Sequence, residues 1–480
     1  MSRFFKPSVD NSEYWEVKLG HHQWGEFSMA AIKSNLVVEG HSQLESGSMR
    51  LHPSGHYGTF VGLYDGQGGP DASEFIRDHL FEIVKRLTSH VGEMSGGVLD
   101  LSFLALDQQY LQLVKKQREA WPNLLSARSS CLVGVVIGGR VYVANSGDSR
   151  AVLGRLPRPK RRVPLVLKRL ARNKRHVQAI TLSTDQNANL PSVQQEVKTL
   201  HQLDHSILRY NDYSWRVKDL IPTTRSISDA YLNSSEFNRR PNLPERSRVG
   251  PPFNKPIILK EPTLVNHELL PGDEFIIFAS PWLWKHLSSE AAVDTVKNSS
   301  RKGIAMKLLK KALKKGAWDD HRLTYKKLKK LNITERRSIH DDISVVVIFL
   351  DHKLMRGGIC NHLSAISYEA SSSQPRTGTD GDSSSSTDGA RQPHTGEAST
   401  SQQHRGEAST SKLHTGEAST SQPHTDGDSS SSTDGARGSQ PHTGEGSGIQ
   451  IHIGEASTSQ PPTAISKSKT YPGFSRRYET

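Results

Sequence analysis

Acidic residues stand beside runs that read as strands at four places in this sequence: Asp65 before Gly66, Asp148 within Asn145-Ser146-Gly147-Asp148-Ser149-Arg150, Asp229 within Arg225-Ser226-Ile227-Ser228-Asp229, and the pair Asp341-Asp342. Carboxylates converging at strand ends are what a hard divalent cation requires, because Mg²⁺ and Mn²⁺ take oxygen ligands and keep several waters. An Asp-Gly pair after a strand is also an ordinary turn, with the carboxylate satisfying nearby backbone amides. The two readings separate only if the fold brings these positions together.

The elements that would position them can be read from periodicity. Residues 58–64 (GTFVGLY) form an apolar run of strand length that stops at Asp65-Gly66-Gln67-Gly68-Gly69-Pro70, where glycines impose a tight loop. Ala72, Phe75, Ile76, Leu80, Ile83, Val84 and Leu87 then recur at spacings of three and four, which predicts a helix with one face on a core. Residues 131–137 and 140–145 flank Gly138-Gly139, a hairpin signature that implies antiparallel pairing. Residues 151–154 and 179–182 continue the strand pattern, with a basic segment inserted between them. Residues 274–279 and 343–350 read as further buried strands, and 289–296 and 304–313 as amphipathic helices. The clustering predicts layers of antiparallel sheet and paired helices.

Composition divides the chain. Residues 24–350 mix apolar runs with charged faces, whereas from about residue 371 the chain is almost wholly Ser, Thr, Gly, Gln, His, Pro, Asp and Glu, so the first part can bury a core and the second cannot. The second part repeats: HTGEASTSQQ from His394, HRGEASTSKL from His404, HTGEASTSQP from His414, HIGEASTSQP from His452, and DGDSSSSTDGAR at Asp380 and Asp426. A polar ten-residue period without an apolar face cannot stack into a solenoid, so this tail is expected to be disordered. No cysteine pair flanks the His-Thr-Gly-Glu copies, which excludes zinc fingers.

The N-terminus has no apolar signal region and the longest apolar runs are of strand length, so a soluble protein, neither secreted nor membrane-spanning, is expected in cytoplasm or nucleus. Cys131 and Cys360 are too few for a disulfide framework and fit a reducing compartment. The net charge is +13, and residues 155–175 hold ten Lys or Arg and no acid. Such a run suits nuclear import or a phosphate-rich partner, and equally a solvated basic loop. No aromatic residue interleaves with it, so nucleic acid is not an expected partner.

Taken in order, GEFSMAAIKSNLVVEGHSQLESG, YGTFVGLYDGQGGPDAS, CLVGVVIGGRVYVANSGDSRAVLG, LIPTTRSISDAYL, DEFIIFASPWLWKHLSSEAAVD and HDDISVVVIFLD resemble the protein phosphatase 2C family, its plant branch above all, from about Gly25 to Asp351. The resemblance implies an α+β fold, a layered sandwich of two antiparallel β-sheets flanked by α-helices, with a two-metal centre of Mg²⁺ or Mn²⁺ at one edge. It implies hydrolysis of phosphoserine and phosphothreonine on proteins by water held between the ions, with phosphorylated or signalling proteins as partners and a monomeric chain. By the same resemblance Asp65 bridges the ions, the Gly66 carbonyl reaches one, Asp341 completes the first, and Asp148, with Glu39 and Asp229, serves a further ion or the surrounding shell. The tryptophans Trp282 and Trp284 are expected to pack in the core.

Three positions depart from the family pattern. Ala-Ser-Asp-Gly-Leu-Trp reads Ala279-Ser280-Pro281-Trp282-Leu283-Trp284, so a ligating Asp is Pro281; Glu-Asp reads Glu39-Gly40; and Asp-Gly-His-Gly-Gly reads Asp65-Gly66-Gln67-Gly68-Gly69, where Gln cannot act as an acid. Ser228 also stands where the family has Gly, which predicts a strained turn. The expected function is impaired phosphatase activity, with a non-catalytic phosphoprotein-binding or regulatory scaffold as the alternative. The expected domains are an N-terminal extension (1–23), the phosphatase-like domain (24–352) with its basic insertion (155–178), and the tail (353–480).

Overall fold

A computed structural model describes residues 14–370, apart from 35–36, 53–55, 158–176, 212, 239–248, 250–254 and 358–365. Nearly all of the basic run and the whole repeat region beyond 370 lie outside the described residues, as does Cys360. The strands are β1 (Tyr14–His22), β2 (Gly25–Ile32), β3 (Gly40–Ser48), β4 (Tyr57–Gln67), β5 (Arg128–Ile137), β6 (Arg140–Ser146), β7 (Arg150–Arg155), β8 (Gln178–Thr181), β9 (Leu208–Asn211), β10 (Ser214–Val217), β11 (Ile227–Ser228), β12 (Thr263–Glu268), β13 (Asp273–Ala279), β14 (Ile343–Phe349) and β15 (Ile366–Ala370). The helices that carry the argument are α1 (Asp71–Val91), α2 (Gly96–Gln117), α3 (Pro191–Leu200), α4 (Pro281–His286), α5 (Ser289–Lys297) and α6 (Ile304–His321).

Two antiparallel sheets form the centre. One runs β1-β2-β14-β13-β7-β8, the other β12-β6-β5-β4-β3-β15 with β11 paired to β5. Side chains alternate across each strand, and both sides are apolar because both are covered. On β13, Ile276 and Phe278 face the other sheet beside Leu63, Leu132 and Val143, whereas Phe275, Ile277 and Ala279 face the helix layer with Val293, Leu308 and Leu309 of α5 and α6. The second sheet turns Phe60, Cys131, Val133 and Val135 onto α1 and α2, whose Ile76, Leu80, Leu99 and Phe103 are buried there. The order helix, sheet, sheet, helix is the expected layered sandwich. Burial on both faces explains why ISVVVIF on β14 shows no polar alternation. At the sheet interface the Phe278 ring lies so near Gly134 that a Cβ there would be 2.4 Å from it.

Two boundaries differ from the sequence expectation. Strand β1 belongs to the domain rather than to an extension, pairing with β2 from Tyr14 opposite Ile32 to His22 opposite Gly25. At the other end a short helix (His352–Gly357) and β15, which pairs with β3, lie beyond residue 352. The basic run does connect two hydrogen-bonded neighbours, since β7 and β8 pair antiparallel.

Ser228 bears out the expected strain. Its φ is 77°, in the left-handed region that favours glycine, with Asp229 following at 51°. The Ser228 hydroxyl donates to the Ala127 carbonyl at 2.5 Å, an oxygen also approached by the Asp229 N–H at 3.4 Å. Ser228→Gly and Ser228→Ala both delete that hydroxyl, but only alanine keeps the unfavourable φ. The glycine variant is therefore expected to be more stable than the alanine variant by about 1 kcal/mol in denaturant unfolding. Equal stabilities would show that the turn is not strained.

Candidate active site

Strand register builds the site. Gly40 on β3 pairs opposite Asp65 on β4, and across β4 and β5 Asp65 pairs with Ser130, Gly66 with Ser129 and Gln67 with Arg128. Gly66 is held against the preceding loop: its N–H donates to the Glu39 carbonyl at 3.1 Å, and a Cβ there would fall 2.2 Å from that oxygen and 2.8 Å from the Ser73 hydroxyl. No larger residue fits without moving backbone.

The other acidic positions arrive at the same end of the sandwich. Asp148 sits in the turn from β6 to β7, which Asn145 Nδ2 ties down by reaching the carbonyls of Gly147, Ser149 and Thr184. Asp341 and Asp342 immediately precede β14. Ser280 links β13 to α4, its hydroxyl accepting from Ser344 N–H at 3.1 Å, and position 281 is the first helical residue. Proline is well suited there, since its missing N–H has no intrahelical partner to lose.

Asp65, Gln67, Asp148, Arg150, Asp185, Asn187, Pro281, Trp282, Trp284, Lys285, Asp341 and Asp342 line one cleft of about 490 Å³. The fold thus brings Asp65, Asp148, Asp341 and the altered positions Gln67 and Pro281 together. Glu39 and Gly40 flank it: a Cβ on Gly40 would lie 3.8 Å from Asp65 Oδ1 and 3.5 Å from the Asp342 Cβ, so a side chain could be accommodated. Trp284 is buried in the core as expected and also walls the cleft; Trp282 is half-buried beside the same core.

The carboxylates differ in how free they are. Asp342 is consumed by structure: Oδ1 accepts from the Ser34 N–H at 2.7 Å and hydroxyl at 3.2 Å, and Oδ2 from the N–H groups of Glu39 at 3.1 Å and Gly40 at 3.3 Å. Glu39 Oε1 accepts from the Gly69 N–H at 2.9 Å. Asp341 Oδ1 accepts from Arg337 Nη1 and from the Asp342 N–H at 2.9 Å. Asp148 Oδ2 accepts from Asn187 at 3.0 Å, whereas among the described residues no donor is placed to hydrogen-bond its buried Oδ1.

Electrostatics follow from this crowding. Burial pushes the Asp65 carboxyl well above the usual range, and Asp341, Asp148, Asp342 and Glu39 push it the same way. Burial raises Asp148 to about 6 and also raises Glu39. Among the described residues burial and neighbouring carboxylates outweigh the counter-charges these groups have, and the buried Asp148 oxygen is the sort of donor a cation would use. Yet among the described residues no group of three or more His, Cys, Asp or Glu side chains is arranged to hold a metal ion.

Asp229 belongs elsewhere. It is fully buried, accepts from the Ser226 hydroxyl at 2.5 Å, and lies 3.8 Å from Arg128 Nη1. Burial raises its carboxyl to about 6, with Arg128 opposing. Arg128 also donates Nε and Nη2 to Gln67 Oε1 at 3.2 and 2.7 Å. Asp229, expected to serve a further ion or the surrounding shell, is thus the buried end of an Asp229-Arg128-Gln67 chain whose outer end reaches the cleft.

Sequence reasoning missed Arg128, Arg150, Asp185 and Arg337. Arg150 pairs with Asp185 (Nε to Oδ1 3.1 Å, Nη2 to Oδ2 2.5 Å) and lies over the Trp284 ring at 5.3 Å. It stood inside the quoted Asn145–Arg150 motif, so that signal was available. Nothing in the sequence couples Arg128 to a partner 61 residues away.

A sandwich of two antiparallel sheets between helix layers, with carboxylates gathered at one end of both sheets, is the architecture of metal-dependent protein phosphatases. Comparison with known proteins agrees. Residues 33–321 match the family described as protein phosphatase 2C. The chain is 43% identical over 341 residues to probable protein phosphatase 2C 38 of Arabidopsis thaliana, covering 71% of this chain and 84% of that protein, and 44% identical over 336 residues to probable protein phosphatase 2C 48 of the same plant, covering 70% and 83%. It is 41% identical over 337 residues to probable protein phosphatase 2C 28 of Oryza sativa, covering 70% and 80%. The chain belongs to the protein phosphatase 2C family.

Proposed function

We propose that this family member engages phosphoserine and phosphothreonine segments of proteins in the cleft beside Asp65 and hydrolyses them far more slowly than an unaltered site would. The observation that carries the reading is the state of the donor set: Asp65 and Asp148 retain carboxylates in need of a cation, while position 281 is proline, position 40 has no side chain and Asp341 is shared with Arg337. Such a set offers the carboxylates of Asp65 and Asp148 to a single divalent cation completed by water, and lacks the carboxylates on both sides that would offset the mutual repulsion of a pair. A Mg²⁺ or Mn²⁺ bound there supplies neutralisation of phosphoryl charge and a more acidic water.

The chain's own residues supply the rest. Arg150, a quarter exposed, and Lys285 present cationic groups to the cleft and can orient a phosphoryl group. Gln67, fixed by Arg128, can orient a leaving oxygen but has no proton to give it. A second reading, a binder without turnover, is favoured by Gln67 and Pro281, which line the cleft without an acid to offer.

Hydrolysis and binding of a phosphothreonine peptide across a Mn²⁺ titration test the proposal. Binding is expected to strengthen with Mn²⁺ while turnover stays near background. Turnover at the rate of an unaltered family member would sink the impaired reading, and absence of binding would sink both.

A further inference from the structure

On the far side of the first sheet from the second, α6 buries Ile304, Ala305, Leu308, Leu309, Ala312, Leu313 and Ala317. The same helix holds Lys307, Lys310, Lys311 and Lys314 at i, i+3, i+4 and i+7, which is one face. These four, with Glu16, Gly303 and Met306, line a groove of about 490 Å³ between α6 and β1, which is the outermost strand of its sheet among the described residues.

The lysines are unusual in their partners. Among the described residues none is within ion-pair distance of a carboxylate, and Glu16 is engaged by Lys18 at 3.8 Å. Lys307 donates to the Ser299 hydroxyl and Lys311 to the Thr295 hydroxyl, each at 2.7 Å, while Lys310 lies over the Tyr14 ring at 5.8 Å and Lys314 over the Tyr325 ring at 5.5 Å. Four like charges on one helix face weaken the helix, so helix stability does not explain them. Their arrangement is held in place by neutral groups with the charge left over.

We propose that this groove docks an acidic segment of a protein partner, its carboxylates or phosphates set against Lys307, Lys310, Lys311 and Lys314 and its backbone running along β1. The concave shape takes an extended chain rather than a planar bilayer, and an outermost strand can accept a further strand. Met306 adds an apolar side chain to the groove lining, while Tyr14 and Tyr325 hold Lys310 and Lys314 over their rings. The partner's nature rests on the phosphoprotein reading above; the groove's preference for acidic peptide does not.

The test uses the full chain and a fluorescently labelled glutamate-rich dodecapeptide without phosphate, read by anisotropy at two salt concentrations. Binding is expected to weaken with salt, and by about tenfold in the triple variant Lys307→Gln/Lys311→Gln/Lys314→Gln, with further loss in the corresponding Glu variant. Asp65→Asn is expected to leave it unchanged. Circular dichroism of each variant confirms folding; should the Glu variant unfold, the Gln variant decides. Unchanged affinity in the Gln variant overturns the proposal, as does lysine-dependent binding to phosphatidylserine vesicles with none to the peptide. Failure of the cleft reading shows separately, as loss of phosphopeptide binding in the cleft while the glutamate peptide still binds.

Discussion

The combined variant Pro281→Asp/Gly40→Asp/Gln67→His is expected to hydrolyse a phosphothreonine peptide in Mn²⁺ at least about 10² to 10⁴ times faster than the chain as it stands, which is the usual worth of a positioned general acid alone. The local geometry allows the changes. Position 281 is the first residue of α4, where an acid is favourable to the helix. At position 40 the nearest atoms to a new Cβ lie 3.5 Å away or more.

The same variant should enlarge the effect of metal on stability. Asp65 already sits among Asp341, Asp148, Asp342 and Glu39, so two added carboxylates cost stability without metal. With Mn²⁺ at about 100 times its dissociation constant the folded state gains about 2.7 kcal/mol. Thermal unfolding should therefore start lower than in the unchanged chain and rise further on adding Mn²⁺. If the unchanged chain is already as fast as the variant, the site is not impaired. If the variant shows neither turnover nor a Mn²⁺ shift, positions 40, 67 and 281 do not occupy the places given to them.

Much of this fold was legible because its strands are apolar on both sides and its turns are marked by glycine. The hairpin at Gly138-Gly139 and the strand before Asp65 needed nothing else. Strand β3 was harder: His41, Ser42, Gln43, Glu45 and Ser46 are all buried, and such a polar strand reads as a loop until its partners are known. Those partners include Tyr64, whose hydroxyl donates to Gln43 Oε1 at 2.8 Å, and Gln43 Nε2, which donates to Glu45 at 2.9 Å. In the site, residue types indicated which carboxylates converge but not how each is used. Asp341 and Asp342 are neighbours in sequence and both line the cleft, yet Asp341 is shared with Arg337 whereas Asp342 is bound by four donors from residues 34–40. Asp229 followed the sequence pattern of its motif and ended in a buried ion pair, because Arg128 stands across the strand from Ser228.

That ion pair yields the largest expected loss of stability. Asp229 has no exposed side-chain surface, and Arg128 Nη1 at 3.8 Å is its nearby cation. Arg128→Met removes the charge while keeping much of the apolar stem, leaving a carboxylate in low dielectric; the expected cost is about 3–5 kcal/mol at pH 8. The pH dependence follows from the Asp229 carboxyl, which is raised to about 6 by burial although Arg128 pulls it down. An unfolded Asp releases its proton near pH ~3.9. Between that value and about 6 the folded chain holds a proton that the unfolded chain has lost, so this group makes stability fall as pH rises through the interval. Without Arg128 the folded value rises further and the fall extends to higher pH. At pH 5, where Asp229 is already mostly protonated, the substitution should cost much less than at pH 8. Adding Asp229→Asn should recover most of the loss at pH 8, giving a large favourable coupling in a double-mutant cycle. A cost equal at both pH values would mean that Arg128 acts through its hydrogen bonds to Gln67 rather than by charge, and that the buried acid is protonated throughout.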